Sequence, residues 1–410
     1  MENTYLYINN STSVYYNSSK QEYYVANTLQ KHEESVNIAE KAAEAAYKIF
    51  SEEISKYISH FKNIAILTAA GTSMDNGTHS GKTRDGLWTE CETTINEIVT
   101  QLRSESSISQ ENLSSITSNH DIESFLSFVI LFEKISSREL RDFEGHLLKE
   151  KLEKQIASAC TLQLDENNHH HELFLQKLLA RKNSDPRVQL YTTNYDKLFE
   201  QAAQNIGATI IDGFSFTLPR RFSGNNFEKD IVYRERTRVK NEESFVPNVF
   251  QLYKLHGSID WEKDEKGSII QNEHTEKPCI IYPASDKYES SYEQPYFEMM
   301  AHFQQTLRKE GTLLIVVGFG FKDKHIQNVI KEAVTQNPNF HLLIVCYEKG
   351  KGITKELLPD FLKQDEKEGK IKVIYNNVSI LHSTFKDFVE NYPLNQSYNT
   401  DNTQDHAACL

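Results

Sequence analysis

The chain is poor in cysteine and has no paired cysteine motif. Its five cysteines, Cys91, Cys160, Cys279, Cys346 and Cys409, are scattered and none forms C-x-x-C. This argues against a cysteine-ligated zinc module and for reduced thiols in a cytosolic chain. Long hydrophobic runs are also missing. Thr312–Val317 is typical of the longest, too short to span a bilayer, so no membrane segment is expected. The opening MENTYLYINN has no basic region followed by an apolar one, so no secretory signal is visible. Net positive charge is lacking as well. The formal charge is −13 and the isoelectric point near 5.6. A broad nucleic-acid-binding face is therefore not indicated, although a local basic patch is compatible with that balance.

What is present suits a large α/β protein. At 410 residues and 38% hydrophobic content, the chain exceeds one simple domain, and a core plus a second lobe or large insertion is expected. Its mean hydropathy of −0.58 implies a polar surface. Residues 1–24 are rich in Tyr, Asn and Ser, compatible with an arm, a hairpin or a disordered lead. Ala39, Ala42, Ala43, Ala46, Tyr47 and Phe50 recur at helical spacing, so 26–60 reads as helix. Residues 60–88 begin the expected sheet with the apolar run Ile64–Leu67. Residues 89–185 hold helical stripes (Ile95, Ile98, Val99, Leu102; Phe125, Phe128, Val129, Leu131, Phe132) and no strand run. They read as an inserted helical lobe.

The sheet resumes at 186–390. Strands are expected at Val188–Thr193 and near Thr209–Ile211, Leu252–Leu255, Cys279–Tyr282, Thr312–Val317, His341–Cys346 and Lys372–Tyr375. Helices are expected over Tyr296–Lys309 and Asp323–Thr335. Such alternation predicts a doubly wound, Rossmann-like parallel sheet. Residues 391–410 read as a frayed polar tail, leaving 1–59 as an N-terminal arm and helix.

Four stretches carry candidate chemistry. In the first, the apolar run Ile64–Leu67 enters a small-residue turn, Ala69-Ala70-Gly71-Thr72-Ser73. Small side chains allow close approach to a pyrophosphate, and N–H groups at a helix start attract its charge. Asp85 follows in a loop suited to close over a nucleotide. An ordinary strand-to-helix turn is the alternative. The second is Thr192-Thr193-Asn194-Tyr195-Asp196. An asparagine at a strand end can orient a water or a ribose hydroxyl, because its amide both donates and accepts. Asp196 reads equally as a helix cap. The third is Leu255-His256-Gly257. Its histidine, also at a strand end, is suited to general-base work near neutral pH. The fourth is Gly318-Phe319-Gly320-Phe321-Lys322-Asp323-Lys324-His325, another strand-to-helix turn in which Asp323 can cap. One strand later, Glu348 is placed for a ribose diol, or for solvent.

In combination and in this order, the four stretches resemble the sirtuin-like superfamily. Ala69-Ala70-Gly71-Thr72-Ser73 stands for its Gly-Ala-Gly turn, Thr192/Asn194/Asp196 for T-x-N-x-D, and Leu255-His256-Gly257 for its catalytic Leu-His-Gly. Gly318–His325 is similar to the G-x-S-F-x-D-x-H segment of the bacterial sirtuin-like branch, with Gly320 in place of Ser. The resemblance implies catalytic roles for Asn194 and His256. It implies NAD contacts from Ala70, Gly71, Thr72, Ser73, Asp85, Asp196, Gly318, Phe319, Gly320 and Glu348. The four-cysteine zinc module of sirtuin deacylases has no counterpart in 262–295, which holds only Cys279, so no zinc ribbon and no metal are expected. The resemblance then points to anti-phage NAD hydrolases, with a homo-oligomer or a HerA-type ATPase partner as the expected control. A zinc-less deacylase and a non-catalytic nucleotide-binding scaffold are the rival readings.

Two basic features remain. His169-His170-His171 cannot share one helix face and reads as a solvated helix start. Arg220, Arg221, Arg234, Arg236, Arg238 and Lys240, within 214–246, read first as a solvated hairpin, with contact to a phosphate, a partner subunit or nucleic acid as the alternatives.

Overall fold

The computed structural model describes residues 3–31, 37–104, 109–118, 120–139, 145–233, 245–280, 294–363 and 373–394. The strands are β1 (Thr4–Asn9), β2 (Ser13–Asn17), β3 (Glu22–Val25), β4 (Thr28–Leu29), β5 (Asn63–Thr68), β6 (Val188–Thr192) and β7 (Thr209–Ile211). They continue as β8 (Val249–Lys254), β9 (Trp261–Lys263), β10 (Ile269–Gln271), β11 (Thr312–Val317), β12 (Phe340–Cys346) and β13 (Val378–His382). The helices are α1 (Ile38–His60), α2 (Ala70–Met74), α3 (Arg84–Ser104), α4 (Gln110–Ser118), α5 (Ile122–Glu139) and α6 (Gly145–Ala159). They continue as α7 (His170–Leu179), α8 (Leu198–Asn205), α9 (Tyr296–Arg308), α10 (Lys324–Gln336) and α11 (Phe385–Asn391).

Eleven strands form one sheet in the order β4-β3-β2-β1-β13-β12-β11-β5-β6-β8-β7, and β9 and β10 pair separately. From β13 to β7 every pairing is parallel. The fold is thus the expected Rossmann-like α/β type, with one extension. Residues 4–29 add four antiparallel strands through the pairing of β1 with β13. The tyrosine-rich start suits this place, since aromatic side chains fit a half-buried pleated face. Tyr15 stacks on Tyr24 at 4.9 Å across neighbouring strands. The helix expected from residue 26 begins at Ile38, capped by the Asn37 side chain.

The parallel strands are mostly apolar, and β11 entirely so after Thr312, as suits a sheet covered on both faces. Along β11, Leu314 and Val316 face the cluster formed with Met299, Phe303 and Leu307 of α9 and Ile326 and Ile330 of α10. Leu313, Ile315 and Val317 face the opposite cluster, formed with α1, α7, α8 and α11. That alternation is the period-two rule of a strand in a three-layer sandwich. Between β5 and β6, helices α3 to α6 bury a separate apolar cluster around Trp88, Ile95, Ile98, Leu102, Phe125 and Val129.

Two expected strands differ. The strand sought at Lys372–Tyr375 lies at Val378–His382, pairing in register with β12 and β1. Val373 to Tyr375 run irregularly ahead of a turn, with Val373 buried, and Lys372 lies outside the described residues. Two β-favouring runs flank Asn376-Asn377, and only the second finds open edges on both sides. At Cys279–Tyr282, Ile280 makes a single bridge to Gly257, and residues from 281 lie outside the described residues. No helix among the described residues is long and apolar enough to cross a membrane.

Candidate functional site

Register places the candidate side chains in one row. Val317 pairs with Thr68, Thr68 with Thr192, and Thr192 with Lys254, so β11, β5, β6 and β8 end at the same level. The chain leaves β5 for β6 on one side and later returns to β11 on the other. This is a topological switch point, where open α/β sheets form a crevice at the strand carboxyl ends.

The turn after β5 meets the turn after β11 backbone to backbone. Gly71 N–H donates to the Gly318 carbonyl at 3.1 Å, and Ala69 N–H to that of Val317 at 3.2 Å. A Cβ on Gly71 would lie 2.5 Å from the Gly318 Cα, and one on Gly318 2.6 Å from the Gly71 Cα. Gly318 also has φ of +66°, a region that suits glycine. The two glycines therefore serve contact between the turns, and one N–H expected to face a phosphate is already engaged.

Asn194 locks onto the first turn. Its amide nitrogen donates to the Ala69 carbonyl at 3.0 Å and to Ser73 Oγ at 2.8 Å. Ser73 Oγ donates in turn to Asp196 Oδ2 at 2.6 Å. A carbonyl only accepts, so the Ala69 contact fixes the amide orientation. The Asn194 carbonyl oxygen is left with no protein partner among the described residues. Asp196 also accepts from Leu198 N–H at 3.1 Å, the capping role that its position allowed.

His256 follows β8. Leu255 N–H donates to the Thr192 carbonyl at 2.8 Å, tying this segment to that of Asn194. His256 Nε2 lies 3.1 Å from Asp323 Oδ2. Asp323 caps α10 as its sequence position suggested, its Oδ1 accepting from His325 N–H at 2.9 Å and Ile326 N–H at 3.2 Å. Burial alone would raise the Asp323 pKa. The hydrogen bond and charge of His256 and the two backbone N–H groups outweigh it, holding the carboxyl below its ordinary value. Hydrogen bonds thus join Asn194 to the Gly71 turn and that turn to the Gly318 turn; the chain runs on to Asp323, which faces His256, and Leu255 N–H returns to β6.

The other candidates are placed as follows. Ala70 is exposed, and Thr72 is buried with its hydroxyl donating to the Ala69 carbonyl at 2.9 Å. Phe319 is buried against Phe321, with ring centroids 5.1 Å apart, and Gly320 is exposed. Glu348 is half-buried and pairs with Lys351 at 2.6 Å. Asp85 sits in the first turn of α3 rather than in the expected loop, and its side chain lies outside the described residues. A cavity of about 220 Å³ lies beside the two glycines, lined by Gly71, Met74, Gly318, Val345, Tyr347 and Phe385 among others. Neither Asn194, His256 nor Glu348 lines it.

Two residues were not singled out for these roles by sequence reasoning. From sequence Asp323 reads as a cap alone, although its place in Gly318–His325 puts it just past a strand end. Lys254, buried beneath the site, donates to the Asp196 carbonyl and to Glu200 at 2.9 Å. A lysine ending a strand reads as exposed, so no sequence signal marked it. The histidine triplet divides: His169 is exposed and His171 fully buried. Of the basic segment, Arg220 pairs with Asp212 at 2.8 Å and Arg221 with Asp264, whereas Arg234, Arg236, Arg238 and Lys240 lie outside the described residues. Among the described residues no group of three His, Cys, Asp or Glu side chains is placed to hold a metal ion.

Residues 188–368 match the family model of the SIR2-like domain. No curated protein matches the chain. Among solved structures, a Sir2 bound to acetylated peptide is 12% identical, with a TM-score of 0.36 over 83% of this chain and 95% of that one. A structure described as the basis for the mechanism and regulation of Sir2 enzymes is 11% identical, with a TM-score of 0.37 over 85% and 98%. A Sir2 homologue in complex with NAD is 15% identical, with a TM-score of 0.32 over 83% and 91%. The strand order and register, not this distant likeness, establish the fold. The stretch from β6 through β12, with Asn194, His256 and Asp323 in it, carries the sequence pattern of a SIR2-like domain.

Proposed function

We propose that this chain hydrolyses NAD to nicotinamide and ADP-ribose. The observation that carries the proposal is that Asn194, held to the Gly71 turn, the Gly318 turn packed on it, and the His256–Asp323 pair all follow strands that end at one level. Nicotinamide leaves readily as the C–N bond breaks, and the ribose carbon gains oxocarbenium character. The protein has to orient the ribose, stabilise developing charge and deliver water. The unpartnered Asn194 carbonyl oxygen is suited to accept from a water or a ribose hydroxyl. His256 takes a proton from that water or hydroxyl. Ala70, Gly71, Thr72, Ser73, Gly318, Phe319 and Gly320 border the dinucleotide. Asp196 holds Ser73, and Glu348 exchanges Lys351 for a ribose diol. In this reading the enzyme acts in the cytosol as an anti-phage effector, held in check by self-assembly or by a HerA-type ATPase.

Nicotinamide release from NAD tests this, measured with and without candidate partners and with an acyl-lysine peptide. Release without peptide, lost in Asn194→Ala and His256→Ala, is the expected result. NAD consumption only with the peptide would make the chain a deacylase. NAD binding without turnover in every condition would leave a scaffold subunit.

A further inference from the structure

We infer that Asp323 is the positioning residue for His256, fixing which ring nitrogen is free to take a proton. The inference rests on the NAD reading for its chemistry but on geometry for its contact. The Asp323 carboxylate is divided between two tasks. Oδ1 accepts from the His325 and Ile326 N–H groups that open α10, and Oδ2 faces His256 Nε2 at 3.1 Å. Both side chains are nearly buried, with 11% and 10% of their surface exposed. Two backbone donors hold the carboxylate rigidly, and an ionised carboxylate only accepts. His256 therefore carries its proton on Nε2. Nδ1, with no protein partner among the described residues, is left as the accepting nitrogen. The second ring nitrogen of a histidine is commonly set by the hydrogen bond of the first. The α10 cap thus reaches across to β8 and aligns the base. A cap alone needs no carboxylate: Ser or Asn would serve equally.

Two substitutions separate the roles. Asp323→Ser keeps a cap acceptor and removes the partner of Nε2. Asp323→Asn keeps the cap with its oxygen, which turns its NH₂ toward His256. Nε2 then accepts and the proton moves to Nδ1. In nicotinamide release both variants are expected to lose roughly 10²–10⁴-fold in kcat, with KM for NAD little changed and the thermal midpoint close to wild type. Wild-type kcat in both variants would reduce Asp323 to a cap and overturn the inference. ¹⁵N NMR of the unliganded full chain, with His256 assigned by its loss in His256→Gln, reads the tautomer without turnover. The Nε2–H form in wild type and the Nδ1–H form in Asp323→Asn are expected. An Nδ1–H form in wild type would overturn the inference. A wild-type chain inert toward NAD would reject the NAD reading alone, and the tautomer would then decide the positioning role.

Discussion

Two buried histidines in this molecule stand in opposite surroundings. His171, on α7, is fully buried between Phe199 and Phe385, with ring centroids 5.0 and 5.1 Å away, and neither ring nitrogen has a hydrogen-bond partner among the described residues. His256, at the end of β8, is nearly as buried but faces a carboxylate. Burial in an apolar cage, with a minor contribution from neighbouring His170, pushes the His171 pKa down to about 3. Its ring stays neutral and serves as aromatic packing. Pairing with Asp323 gives the His256 ring a defined partner. In the proposed reading, that partner and the strand-end position, not the histidine as such, make it a base.

The comparison breaks first at turnover. His256→Ala is expected to lower nicotinamide release roughly 10²–10⁴-fold with the fold intact, as steady-state kinetics and circular dichroism would show. His171→Leu should leave turnover near wild type. Equal losses in the two variants would erase the distinction.

The next effect is on stability against pH. The folded pKa of His171 lies below the unfolded value of 6.5, so the unfolded chain binds the extra proton. Its contribution is complete above pH 6.5 and is lost as pH falls toward 3, at about 1.4 kcal/mol per pH unit. His341, pushed down to about 4 by burial, acts in the same direction. Urea unfolding of wild type should weaken steeply between pH 6 and 4. His171→Leu should flatten that slope by about one proton, leaving the His341 share.

The smallest effect lies where the Gly71 and Gly318 turns meet. Gly318→Ala places a Cβ against Gly71 at a positive φ and should cost about 1–3 kcal/mol in denaturant unfolding. Turnover should fall with it, because the Gly71 turn that holds Asn194 would shift. Unchanged stability would mean that the two turns separate freely.

Much of the fold was legible because its signals are local. Thr312–Val317 and Val188–Thr193 read as buried strands from composition alone, the second ending one residue earlier in the structure, and Ile95, Ile98 and Leu102 as one helical stripe. The place of residues 4–29 was not legible. A tyrosine-rich segment states that it can form strands, not which edge it will join, and the free edge of β13 decided that. At the candidate site, the residue types and their spacing drew attention to Asn194 and His256. The spacing was silent on Asp323 as a histidine partner, since 67 residues separate the two.

The sequence by itself determined the alternation of strands and helices and the side chains offered at each strand end. Periodicity and turn chemistry act within a few residues, which is why they can be read from the chain. Tertiary structure alone decided that two glycines meet across neighbouring turns, that a helix cap faces a histidine, and that one histidine of a triplet enters an aromatic core. Those outcomes depend on strand order and register, which bring together groups the chain keeps far apart.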